Sequence, residues 1–290
     1  YIYNFAMGEP MEVVKVWTAV TISQYFCYTI KSIAPKGLKR LTLLLPVICL
    51  FLYLPLRLTS VHIGGTTAFS VSWLANFKLL LLAFDLGPLC SHPPVSFPLF
   101  VTLACLPVRI PNESTKAIKT TSKWPRFFVF KILLTISIVL FLPYTGILHN
   151  QLVKTIYAIY MYLVLEIILA VTTNVTRVVT GLELEPPFDE PYLTTSLQDF
   201  WGRRWNIIVS RILKPVVYEP VFRMATIFMP RRQATIVAVI GTFAASGLMH
   251  EFMFYYHGRA WPTWELSCFF LLHGVCVAAE VTAKRWAGER

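Results

Sequence analysis

The stretch Gln233-Ala234-Thr235-Ile236-Val237-Ala238-Val239-Ile240-Gly241-Thr242-Phe243-Ala244-Ala245-Ser246-Gly247-Leu248-Met249-His250 carries no charged side chain before its closing imidazole. An apolar run of this length crosses a hydrocarbon core about 30 Å thick only as a helix, which satisfies its own backbone groups. The same pattern recurs at Val13–Ile30, Leu41–Leu58, Thr66–Phe84, Phe127–Pro143, Leu152–Thr173 and Trp264–Glu280. Phe97–Leu106 is too short to span and reads as a re-entrant piece or half of a broken helix. Lys15 near the start of the first run, with no small-residue cleavage site, predicts a retained span rather than a signal peptide.

Composition agrees. Hydrophobic residues are 56% of the 290 and charged residues 14%, with mean hydropathy +0.60, against about 45–50% and about 25% in soluble proteins. The expected fold is all-α and polytopic, one membrane-embedded domain over residues 1–290. The chain opens on Tyr1 and stops at Arg290 without a closing feature, as a trimmed reading frame would. The net charge of +11 is spread too thinly for a nucleic-acid face. Six cysteines without a C-x-x-C pair read as small buried hydrophobes, not as a disulfide or metal framework. Pro46, Pro55, Pro107 and Pro143 are expected at span ends.

Lys and Arg set orientation, because cytosolic loops carry their excess. Alternating the seven spans places 20 of the 26 basic residues on one side. They lie in Lys31–Arg40, Arg109–Arg126, Asn174–Arg232 and the tail after Glu280. The opposite loops hold only Arg259. The basic loops are therefore expected in the cytosol, where the sequons at Asn112 and Asn174 would stay unglycosylated.

Familiar catalytic motifs are absent. His250-Glu251-Phe252-Met253-Phe254 opens like a zincin but has Phe254 in place of the second ligand. There is no G-x-S-x-G elbow, no P-loop and no H-x-x-x-D or H-x-x-x-x-D spacing. Chemistry is then expected within the membrane, where an ionisable group is costly unless it has a use. His250, at the end of its run and one turn after Ser246, is a candidate general base for a buried hydroxyl; a helix-end histidine bonded to backbone is the alternative. His273 and Glu166 lie mid-span and read as helix-to-helix polar contacts.

The long polar interval begins with an acidic, proline-rich connector, Glu183 to Pro191. Asp199-Phe200-Trp201-Gly202-Arg203-Arg204-Trp205-Asn206 follows. It reads either as an interfacial aromatic belt or as a site. In the second reading Arg203 and Arg204 meet phosphates, Trp201 and Trp205 pack on an adenine or acyl chain, and the Asn206 amide points at a carbonyl. Beyond it, Ile207–Arg232 suits helices lying in the interface.

Pro191-Tyr192-Leu193-Thr194-Thr195-Ser196-Leu197-Gln198-Asp199-Phe200-Trp201-Gly202-Arg203-Arg204-Trp205-Asn206 resembles the signature of the plant wax synthases, long-chain-alcohol O-fatty-acyltransferases of the membrane-bound O-acyltransferase superfamily. Ile33-Ala34-Pro35-Lys36-Gly37, Ser72-Trp73-Leu74-Ala75-Asn76-Phe77-Lys78-Leu79-Leu80-Leu81 and Gly247-Leu248-Met249-His250-Glu251 extend the resemblance over nearly the whole chain. It implies about seven to nine helices around an intramembrane tunnel, in the endoplasmic reticulum membrane. It further implies acyl-CoA-dependent esterification of a fatty alcohol, with His250 and Asn206 catalytic and Asp199, Trp201, Arg203, Arg204 and Trp205 near the acyl-CoA. No metal or other cofactor is expected. A sterol or diacylglycerol acceptor and a non-catalytic lipid-binding scaffold are the alternatives. A transporter is disfavoured because the spans show no paired charges. One difficulty is geometric: Ala234–Met249 rises about 24 Å, which would hold His250 far from an Asn206 left in a cytosolic loop.

Overall fold

A computed structural model describes residues 2–90, 95–111 and 127–288. Among them every regular element is helical. The longer ones, in chain order, are α1 (Ile2–Ile33), α2 (Leu38–Tyr53), α3 (Val61–Ala83), α4 (Phe97–Cys105), α5 (Phe128–Phe141), α6 (Asn150–Thr180), α7 (Ile207–Leu213), α8 (Glu219–Phe228), α9 (Arg231–Gly258) and α10 (Glu265–Trp286).

Six helical stretches are long and apolar enough to cross a membrane: Leu38–Arg57, Val61–Ala83, Phe128–Gly146, Asn150–Thr180, Arg231–Gly258 and Glu265–Trp286. They coincide with six of the seven expected spans. The first, Val13–Ile30, is helical within α1 but is less apolar, because Lys15, Ser23 and Gln24 interrupt it. Its buried stripe of Val16, Val20 and Cys27 joins α2, α3 and α4 in one core with Leu44, Phe51, Val71, Leu79, Phe100 and Leu103.

Buried polar groups decide how that core closes. Lys78 on α3 is 1% exposed and donates to the carbonyls of Leu103 at 2.5 Å and Leu106 at 2.7 Å. Leu103 O belongs to the last turn of α4 and is one of its orphan carbonyls, while Leu106 O, just past the helix, also accepts the Val108 N–H at 2.8 Å. The short α4 therefore stays inside the bundle as a capped half-helix, because the buried Lys78 side chain and the carbonyls satisfy one another. Arg40 works similarly, donating to Ala34 O (3.1 and 2.8 Å) and Leu82 O (3.0 Å). One of the basic residues assigned to the first cytosolic loop is thus a clamp between α2 and α3.

Several expectations change. Pro46 lies inside α2, not at a span end. Helix α6 runs on to Thr180 and stops at Gly181, whose φ of 68° suits glycine, so the polar interval begins seven residues later than hydropathy placed it. Asn174 is consequently a buried helical residue, donating to Ala170 O at 2.8 Å; the sequon at Asn112 lies outside the described residues. All six cysteines are free, but Cys49, Cys268 and Cys276 are exposed on the helix surfaces rather than buried. Glu166 is the expected helix-to-helix contact, pairing with Lys131 of α5 at 2.6 Å. That buried pair also corrects the view that the spans carry no paired charges.

Candidate active site

Two glycines set the spacing of the α9–α10 hairpin. A Cβ on Gly247 would lie 2.9 Å from the Ser267 Cα, and one on Gly274 would lie 2.8 Å from the Phe243 Cβ. The helices approach closely because neither atom exists. Glu251, 4% exposed, accepts the backbone N–H of Ser267 at 3.1 Å. Ser267 is in the first turn of α10, so the carboxylate satisfies an orphan donor and faces the positive end of the helix dipole.

His250 sits beside this contact. Its Nδ1 lies 2.7 Å from the Ser246 carbonyl. A carbonyl only accepts, so Nδ1 carries the proton and Nε2 of the neutral ring is left as a lone-pair acceptor. The ring packs at 4.4 Å on Phe270 of α10. Backbone bonding, the plainer reading of a helix-end histidine, therefore fixes the ring without consuming Nε2.

The Asp199–Asn206 segment does not remain in an outer loop. At its start, Lys284 donates to Ser196 Oγ at 3.1 Å and the Gln198 N–H to Glu280 at 3.2 Å, near the carboxyl end of α10. By Trp201 it has reached Phe270 (5.8 Å), His273 (5.7 Å) and Phe243 (5.6 Å) between ring centres. Glu280 to Phe270 is ten residues of helix, or about 15 Å. The segment thus climbs along α10 to the level of the residue that packs on His250. Trp201 of the segment and His250 thus both pack on Phe270.

Its side chains have distinct fates. Trp205 stacks on Phe200 at 5.2 Å and closes a ring cluster with Phe188 (5.3 Å) and Tyr162 (5.7 Å). Arg204 binds Asp199 at 2.6 Å and also donates to Asp189 O at 3.2 Å, tying the connector to the motif. The guanidinium holds the Asp199 carboxyl below the usual carboxylate range. Trp205, Arg204 and Asp199 are therefore engaged within the protein, and Arg203 is the exposed cation of the set. Asn206 opens α7 in the left-handed region, φ 37° and ψ 61°, a conformation asparagine tolerates. Its side chain does not cap the helix, so the amide is not spent there.

Helix α7 lies inward rather than in the interface. Ile208 and Ile212 are buried against Trp73 and Leu74 of α3, with Met249 packed on the same cluster. Only α8 keeps the interfacial character expected of the whole region, exposing Met224, Ile227, Phe228 and Arg223. Three π-wound stretches, Ala68–Ala75, Phe200–Arg204 and Lys214–Tyr218, converge here. Trp73 and Val216 from two of them share the cluster of Met249, and Trp201 from the third meets Phe270. Such windings recur at functional sites. Trp73, Phe270 and Glu251 carried no assigned role in the sequence; Trp73 and Glu251 stand in the blocks that carried the resemblance, while nothing local marks Phe270.

The chain belongs to the membrane-bound O-acyltransferases. Residues 184–272 match the family model described as "Membrane bound O-acyl transferase family". The chain is 44% identical over 278 residues, 94% of it and 80% of the relative, to an acyl-CoA–sterol O-acyltransferase of Arabidopsis thaliana. It is 43% identical to a long-chain-alcohol O-fatty-acyltransferase of Simmondsia chinensis, with 93% of this chain and 79% of that one covered. A probable long-chain-alcohol O-fatty-acyltransferase of Arabidopsis thaliana follows at 42%, covering 94% and 81%. The matched stretch begins in the connector and takes in the motif, α7, α9 and His250.

Proposed function

We propose that the chain transfers a fatty acyl group from acyl-CoA to a long-chain alcohol, forming a wax ester and free CoA. The observation that carries this reading is the His250 ring, whose Nδ1 is committed to Ser246 O while Nε2 is an acceptor. The alcohol proton passes to Nε2 as the oxygen attacks the thioester carbonyl. The C–S bond then breaks, and the imidazolium returns its proton to the departing thiolate. Asn206, whose amide is not used in capping α7, donates to the carbonyl oxygen as negative charge develops. Direct transfer of this kind balances with acyl-CoA as co-substrate and calls on no metal or covalent enzyme intermediate.

The acyl-CoA phosphates would meet Arg203 on the basic side, which faces the cytosol from the endoplasmic reticulum membrane, and the alkyl chains would lie between helices in an intramembrane tunnel. An apolar furrow between α9 and α10, lined by Ile236, Ile240, Val275, Ala278 and Trp286, runs along the helix face that carries His250. In this scheme Trp201 holds the inserted segment against α10, while Asp199, Arg204 and Trp205 tie it to the connector and to Tyr162. A sterol acceptor is the second reading, favoured by the identity to the Arabidopsis sterol O-acyltransferase.

Microsomes containing the chain, supplied with labelled palmitoyl-CoA and with fatty alcohol, sterol or diacylglycerol in separate reactions, test both readings. Wax ester is expected as the main product. Steryl ester as the main product would replace the acceptor, and activity surviving His250→Ala would remove the proposed base.

A further inference from the structure

Trp73 lies in the π-wound part of α3 and is 6% exposed. Its indole N–H has no hydrogen-bond partner among the described residues. Leaving a buried donor unpaired costs about 1–3 kcal/mol. Of the polar side chains beside it, Ser72 donates to Phe51 O at 2.6 Å and the Asn76 amide nitrogen donates to Ile48 O and Ser72 O, both at 3.1 Å, while Asn76 Oδ1 is buried without a partner among the described residues and does not bond the indole. The surroundings of the indole are apolar, with Phe69 at 5.0 Å and Phe77 at 6.3 Å between rings and Ile208, Ile212 and Met249 in the same cluster. A phenylalanine would fill such a place without stranding a donor. The indole is explained when an acceptor arrives from outside the protein.

Position supplies the acceptor. Met249 precedes His250 in the chain, and Ile208 is two residues beyond Asn206. The elements that carry the proposed base and the proposed amide donor thus meet on the cluster that holds Trp73. Apolar surroundings with one unspent N–H suit an alkyl chain that ends in a single strong acceptor, and a fatty thioester carbonyl has that form. We propose that Trp73 is a substrate-contacting residue that donates its indole N–H to the acyl carbonyl oxygen of the bound thioester, to which Asn206 adds its own hydrogen bond only as charge develops in the transition state. This rests on the acyl-transfer reading above. The hydrogen bond orients the carbonyl in the bound state and strengthens as charge collects on its oxygen, because the site is screened from water.

The test compares the chain with Trp73→Phe and with 3-benzothienylalanine placed at position 73, which keeps the bicyclic shape and replaces the N–H by sulfur. Two ligands are used: palmitoyl-CoA and its hexadecyl thioether, which lacks the carbonyl. The unmodified chain is expected to bind the thioester about 5-fold more tightly than the thioether, as one net hydrogen bond allows. Both variants should lose that preference while keeping their affinity for the thioether, and their kcat should fall about 100-fold. A thioester preference that persists in the benzothienyl variant, or a kcat within 2-fold of the unmodified chain, overturns the proposal. Equal weakening of both ligands assigns Trp73 to packing alone and also overturns it. A chain that binds palmitoyl-CoA but esterifies no acceptor would remove the acyl-transfer reading, while the thioester preference still judges Trp73.

Discussion

Helices α3 and α5 are both apolar enough to cross a membrane, yet their surroundings are opposite. In the most apolar window of each span, 72% of the residues are buried in Val61–Ala83 (α3) and 6% in Phe128–Gly146, which is α5 with the turn that follows it. The more apolar helix is the more exposed one. Lipid tails are as apolar as leucine, so a helix facing them gains nothing by turning inward and keeps uniformly apolar side chains. The inner helix carries Ser72, Trp73, Asn76 and Lys78, because protein neighbours can meet polar groups and lipid cannot. Hydropathy in this molecule therefore locates spans and, read in reverse, marks the helices that house chemistry.

The comparison can be broken from either side. On the inner side, His250→Ala should reduce ester formation by about 10²–10⁴-fold, measured as labelled product from microsomes of matched protein content. On the outer side, α5 has one buried charge, Lys131, paired with Glu166 at 2.6 Å. Lys131→Ala strands the carboxylate and should cost about 3–5 kcal/mol, read as a lowered midpoint of thermal unfolding in detergent. Replacing both, Lys131→Met with Glu166→Leu, should recover most of that loss. A single variant as stable as the parent would show that the pair does not hold α5 to α6.

Gly247→Val sharpens the inner side, because the added Cβ would lie 2.9 Å from the Ser267 backbone. A loss of about 1–3 kcal/mol is expected, with activity falling alongside as Phe270 shifts from His250. The Asp199–Arg204 pair gives a smaller, pH-dependent effect. Arg204 depresses the carboxyl pKa, so its contribution is complete above the unfolded value of about 3.9. It is lost as pH falls through the lower folded value. Acid stability curves of the parent and Asp199→Asn should therefore converge at low pH and separate above it. Smallest of all, Leu140→Ala on the exposed face of α5 should change stability by no more than about 0.5 kcal/mol. A larger effect would mean that this face has a protein partner.

Apolar runs were legible because a membrane span is a property of consecutive residues. Six of the expected spans, the shortness of α4 and the contact role of Glu166 followed from that. What did not follow depends on partners far apart in the chain. Nothing near Lys78 announces that it caps α4, 25 residues away, and nothing in Ile207–Leu213 distinguishes a buried helix from an interfacial one. The motif was recognisable as a block, but the division of labour inside it was not. Arg203 and Arg204 are equivalent by type; only the fold shows Arg204 bound to Asp199 and the connector while Arg203 is exposed. His250 and Asn206 stood out by type and resemblance, whereas Phe270 is one more phenylalanine in an apolar run.

The π-wound stretch of α3 bears on which insertions and deletions this lineage can accept. Removing one residue from Ala68–Ala75 would rotate everything beyond it by about 100° relative to Val61–Thr67. The upper half of the helix is pinned, because His257 of α9 lies directly over Gly65. The lower half would then swing Asn76 and Lys78 away from α2 and α4 toward the hydrocarbon. The length of this helix between Gly65 and Lys78 is therefore fixed to the residue.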